Sequence, residues 1–108
     1  MKFVEIEKSD NELLIKTLAQ RLDGDNYILN ALLDGNFFHS DYDGIELDLF
    51  SVEFINSLGI TELVNLHRKF TEGKKSPSPI RFINVDRKVN AILELVDFHK
   101  VVEISVKE

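Results

Sequence analysis

Apolar and polar positions change their period several times along the chain, and each change predicts an element. Residues 3–6 (FVEI) and 12–18 (ELLIKTL) read as two strands, with EKSDN between them supplying turn residues. Asp23-Gly24-Asp25-Asn26 predicts a turn and a helix cap. The following YILNALL (27–33) carries apolar residues at helical spacing. In GIELDLF (44–50), Ile45, Leu47 and Leu49 alternate with Glu46 and Asp48, which is a strand pattern. Beyond Ser57 the period lengthens. Ile60, Leu63, Val64, His67 and Phe70 fall on one helical face, and Gly73 is placed to end that helix. The loop KKSPSP (74–79) holds two prolines that bar helix continuation. IRFINV (80–85) predicts a further strand. Asp86 then caps a third helix, in which Val89, Ile92, Leu93 and Val96 keep the i, i+3, i+4, i+7 spacing. VVEISV (101–106) is the last strand.

The predicted order is β-β-α-β-α-β-α-β, in one domain spanning residues 1–108. Strands that alternate with helices imply an α/β fold with a mixed, mostly parallel sheet, and the first hairpin adds an antiparallel edge. In such sheets function gathers at the carboxyl ends of strands. Ser57 lies at one strand-to-helix junction and Asp23 at another, so the two are expected near each other. Serine is a preferred N-cap residue, so Ser57 by itself predicts a capping role. Asp48 is expected to fix its loop by hydrogen bonding, and Phe37 and Phe38 to pack in the core or at its edge.

Composition narrows the function classes. At 108 residues, 44% hydrophobic and 30% charged, the chain is ordinary for a globular domain and needs no crosslinks. It has no cysteine, which excludes a disulfide framework and a cysteine nucleophile. The formal net charge is −6, and the basic residues are dispersed apart from Lys74-Lys75. That disfavours nucleic acid and anionic lipid surfaces as partners, since both need a concentrated basic patch. No apolar run approaches the roughly 18 residues of a membrane span. The N-terminal residues lack the apolar stretch of a signal peptide, so a cytoplasmic location and no membrane insertion are expected. A protein partner is the class that remains.

Catalytic signatures are missing. Neither G-x-x-x-x-G-K-[ST] nor G-x-G-x-x-G occurs, so no cofactor is implied. His39, His67 and His99 share no metal-ligand spacing, and His67 is expected at the edge of the apolar helix face. DGDN (23–26) and DYDG (41–44) look like fragments of a calcium loop but lack its glycine and terminal glutamate, so both read as turns and no metal is expected. A Ser-His-Asp set drawn from Ser57, a histidine and Asp48 lacks a G-x-S-x-G elbow. The chain is not expected to be an enzyme.

The stretch IELDLFSVEFINSLGITELVNLHRKF resembles the signature of the STAS domain, the fold of bacterial anti-sigma factor antagonists. That signature is an apolar strand ending in D-L-S-x-V, then F-[IM]-D-S-[ST]-G-[LI], then an amphipathic helix. Asp48-Leu49, Val52, Phe54-Ile55, Ser57 and Gly59-Ile60 match it. QRLDGDN (20–26) is similar to the family's G-x-L-D turn, with Asp23 at the acidic position and Gln20-Arg21 where the glycine is expected. Residues 80–104 are similar to the family's final strand, helix and strand. Two motif positions differ: Asn56 replaces the aspartate before the serine, and Leu58 replaces the second Ser/Thr.

The resemblance implies a regulator that works by partner switching. Ser57 would be phosphorylated by an anti-sigma factor that is also a serine kinase, and a serine/threonine phosphatase would reset it. Asp23, Asn56, Leu58, Gly59 and Ile60 would contact the partner, with Gly59 allowing close backbone approach. A phosphate adds about −1.5 to −2 charges at one point, and a helix N-terminus tolerates them. Two other roles within the same resemblance are a STAS subunit of an ABC-type lipid transport complex and a stand-alone STAS scaffold in a stress-sensing assembly.

Overall fold

The computed structural model describes residues 2–108. Its first two strands, β1 (Val4–Ser9) and β2 (Glu12–Thr17), form an antiparallel hairpin with Ser9 opposite Glu12. The strand therefore runs farther than the alternation in FVEI predicted. Asp10 and Asn11 alone make the turn, at φ 48° and 65°. Two successive left-handed residues are what a right-twisted hairpin needs, and Asp and Asn tolerate them better than most residues.

After β2 the chain forms β3 (Arg21–Leu22), α1 (Tyr27–Asp34) and a one-turn 3-10 helix at Phe37–His39. It continues through β4 (Gly44–Asp48), β5 (Phe54–Ile55) and α2 (Ser57–Thr71). Then come β6 (Ile80–Val85), α3 (Arg87–Leu95), a second 3-10 turn at Phe98–Lys100, and β7 (Glu103–Val106). The main sheet has the order β1-β2-β4-β6-β7, parallel throughout except for the β1 edge. This is the mixed, mostly parallel α/β architecture that the element order predicted.

The pleat sorts the side chains. Leu13, Ile15, Ile45, Leu47, Ile80 and Phe82 face a core that they share with residues from all three helices, among them Ile28, Leu32, Leu63, Leu66, Phe70, Val89 and Leu93. On the other face Glu12, Leu14, Lys16, Glu46, Asp48, Arg81 and Ile83 are exposed or half-buried. Phe37 and Phe38 are half-buried against the core, as expected. His67 is half-buried too, edge-on to Phe98 at 6.5 Å between ring centroids.

Several local expectations are corrected. The fourth predicted strand ends at Asp48 rather than residue 50, because Leu49 to Val52 forms a turn closed by Val52 N–H to the Leu49 carbonyl. The last strand begins at Glu103, since Val101 and Val102 donate backward to Phe98. Asn26 stands at the start of α1 in a left-handed conformation and makes no side-chain cap. Asp86 does cap α3, its Oδ1 accepting from Lys88 and Val89.

A second, two-stranded sheet pairs β3 with β5 in parallel, Leu22 opposite Ile55. Two-residue strands are too short to show any period, which is why the sequence pattern missed them.

Candidate functional site

The small β3–β5 sheet assembles the site. It brings the chain entering the Asp23 turn alongside the chain entering α2. The Glu53 amide donates to the Gln20 carbonyl at 2.8 Å and the Asn56 amide to the Leu22 carbonyl at 3.2 Å. The expectation that Asp23 and Ser57 share one region is met by this pairing and by the contact of Gly24 with Leu58. A Cβ on Gly24 would lie 3.1 Å from Leu58 Cδ1, and its φ of +120° suits glycine.

Ser57 is exposed and occupies the first position of α2, so it is not the cap. Asn56 is. Its Oδ1 accepts from the Leu58 amide at 3.0 Å and the Gly59 amide at 3.1 Å, and its own carbonyl takes the Ile60 amide at 2.9 Å. The amides of residues 58–60 are thus all bonded within the chain. The Ser57 hydroxyl stands beside a helix start whose donors are already spent. A group added there faces outward instead of folding back onto the helix.

Gly59 has a role other than the one expected. It is buried, and a Cβ there would sit 2.0 Å from the Leu22 carbonyl oxygen. Its missing side chain lets α2 press against β3, so the close backbone approach is internal and Gly59 is not open to a partner. Ile60 is half-buried and packs on the core. Leu58, by contrast, is 57% exposed. Phe54 at 39% and Phe50 at 56% add two exposed aromatic rings on the segment leading into the helix. The Arg21 guanidinium stacks 4.1 Å above the Phe54 ring and pairs with Asp23 at 3.1 Å. Lys107 Nζ lies 4.9 Å from the Phe50 ring centroid and donates to the Phe50 carbonyl at 3.1 Å. The site is therefore a serine among apolar side chains with cations resting on two of the rings. Phe50 and Phe54 were not singled out from the sequence, although each occupies a polar position of the local alternation.

Asp48 behaves as expected. Its Oδ1 accepts from the Phe50 amide at 2.9 Å and from Asn84 Nδ2 at 3.2 Å, which fixes the exit from β4.

A buried carboxylate locks the two halves of the site together. Glu62 on α2 is 1% exposed, and its Oε2 accepts from the Ile28 amide at 2.9 Å and the Leu29 amide at 3.1 Å. It supplies the cap that Asn26 does not, across more than thirty residues of sequence. Burial pushes the Glu62 carboxyl above the usual carboxylate range, and the two amides pull it partly back. Helical periodicity places residue 62 between Gly59 and Leu66 on the buried face, and a glutamate there is the signal that sequence reading passed over. Among the described residues no group of three or more metal-capable side chains converges.

No protein-family model and no curated protein matches the chain. Solved structures do. An anti-sigma-factor antagonist (STAS) domain protein from Planctomyces limnophilus aligns at TM-score 0.74 and 16% identity, over 97% of this chain and 90% of its own. The chain has the STAS fold. RsbS from Moorella thermoacetica, as a serine-to-glutamate variant, aligns at TM-score 0.71 and 16% identity over 97% of this chain and 87% of its own. An anti-sigma factor antagonist from Mycobacterium paratuberculosis aligns at TM-score 0.69 and 16% identity, over 94% and 83%. The STAS fold places the start of α2 beside the β3 turn, which is where the exposed serine and its apolar flank lie. No helix is long and apolar enough to cross a membrane.

Proposed function

We propose that this chain is an anti-sigma factor antagonist acting by partner switching. Its unphosphorylated form binds an anti-sigma factor that is also a serine kinase. Phosphorylation of Ser57 releases that partner, and a serine/threonine phosphatase restores binding. The module works in the bacterial cytoplasm. The observation that carries this reading is the exposed Ser57 at the start of α2, flanked by the exposed Phe50, Phe54 and Leu58.

The mechanism follows from the local chemistry. The apolar side chains give a partner surface to desolvate, with Leu58 and Phe54 as anchors and Asp23 and Asn56 as polar neighbours. Phosphorylation converts the Ser57 hydroxyl into a dianionic ester as the kinase transfers the terminal phosphoryl group of its nucleotide. Asn56 already holds the Leu58 and Gly59 amides, so the phosphate stays at the surface and meets the partner directly. A charge desolvated without a counter-ion at an interface costs about 2–5 kcal/mol. At about 1.4 kcal/mol per factor of ten, the low end already weakens binding about 30-fold.

The test is to purify the protein from its native cell and map modified residues by mass spectrometry, alongside a Ser57→Ala form. Phosphate on Ser57, absent from the alanine form, is expected. Complete lack of modification at Ser57 under all growth conditions, with a bound ATPase or larger STAS assembly recovered instead, would favour a fixed subunit.

A further inference from the structure

At the end of α2 opposite Ser57 lies a cavity of about 410 Å³, within the range that holds small ligands. Leu33 and Phe38 give it apolar walls, and Asn36, His39, Lys69 and Lys74 give it polar ones. Lys74 stands apart among these. Its Nζ is shielded from solvent yet donates no hydrogen bond among the described residues. Its ion-pair contact is Asp41 at 3.6 Å, whose own side chain is 93% exposed. A shielded ammonium with unmet donors costs free energy, and an anionic group in the cavity would supply the acceptors.

Lys69 reinforces this charge. Its Nζ lies 5.9 Å from the centroid of the Phe38 ring, and that ring is held by packing 4.6 Å from Phe70. Glu72 is the carboxylate of the lining, one against two ammonium groups. Lysine in the last turn of a helix also offsets the dipole, which accounts for Lys69 in part. It does not account for Lys74, which lies beyond the helix.

We propose that this cavity binds a small molecule joining an anionic head, phosphate or carboxylate, to a flat apolar body. The head sits by Lys74 and Lys69, and the body lies against Phe38 and Leu33. The fifteen residues of α2 separate this site from Ser57 by about 20 Å at 1.5 Å per residue, so the proposal does not rest on partner switching.

The test uses the full chain, ¹⁵N-labelled and titrated with phenyl phosphate, benzoate and inorganic phosphate. Saturable amide shifts at Phe38, Lys69 and Lys74 are expected with phenyl phosphate or benzoate, and the two arms tell which head is preferred. Inorganic phosphate should bind at least 10-fold more weakly. The double variant Lys69→Gln/Lys74→Gln should lose at least 10-fold in affinity. Leu33→Asp, at an exposed wall position, should do the same with an unchanged melting temperature. Non-saturating shifts with both organic probes would overturn the proposal, as would undiminished affinity in the folded variants. Inorganic phosphate binding as tightly as phenyl phosphate would overturn it as well.

Discussion

Replacing Glu62 by alanine removes the contact that joins α1 to α2. The carboxylate is 1% exposed and accepts two amides, at 2.9 and 3.1 Å. Leaving a buried donor without its acceptor costs about 1–3 kcal/mol. The Ile28 amide is fully buried and the Leu29 amide partly so, which puts the total near 3 kcal/mol. For a domain of this size that corresponds to a melting temperature lower by about 12 °C. Glu62→Gln keeps an acceptor oxygen and avoids a buried charge, so its loss at neutral pH should be about 1 kcal/mol or less. The pH dependence separates the two effects further. The folded-state pKa of Glu62 is raised from the ordinary 4.5, so the folded protein holds this proton more tightly than the unfolded chain does. The stability it contributes is fully present below about pH 4.5 and is lost as pH rises through the raised folded value. Wild type should therefore gain on Glu62→Gln as pH falls toward 4. Urea unfolding followed by circular dichroism between pH 4 and 7.5 measures all three proteins. A loss below 1 kcal/mol in the alanine variant, equal losses in both variants, or a wild-type advantage that grows with pH would refute the cap.

Other perturbations test the site's construction. Gly59→Ala puts a Cβ against the Leu22 carbonyl and should destabilise by about 3 kcal/mol or more through overpacking, read by urea unfolding. Asn56→Ala should cost about 1 kcal/mol by loss of the α2 cap, whereas Asn56→Asp should keep that stability; thermal melts compare them. In the hairpin, Asn11→Gly relieves a left-handed asparagine and should raise stability by a few tenths of a kcal/mol, checked in the same melts. Burial lowers the His67 pKa below 6.5, against the raising effect of its hydrogen bond to the Val101 backbone. A depressed histidine contributes stability that is present above pH 6.5 and lost as pH falls through the folded value. His67→Gln should therefore flatten the stability profile between pH 7 and 5.

The long elements were legible because burial imposes a period on them. Ile45 and Leu47 in β4, and Leu63, Leu66 and Phe70 in α2, must face one core, and their spacing announces strand or helix. The site was legible only in part. Ser57 and Asp23 came from position at strand ends and from the resemblance to STAS sequences. The cap passed from Ser57 to Asn56 because one residue decides which side chain reaches the free amides. Gly59 was misassigned because its neighbour, the Leu22 carbonyl, comes from a two-residue strand with no pattern of its own. Glu62 acts on residues more than thirty positions away, and no local signal reports such a contact.

The central claim is that charge at Ser57 decides whether a partner stays bound. Wild type and Ser57→Asp, used side by side to capture partners from the native cell, test it most directly. The account predicts that a serine kinase is held by wild type and lost with the aspartate. Retention of the same partners by both forms would contradict it and leave Ser57 as an exposed residue of a fixed subunit.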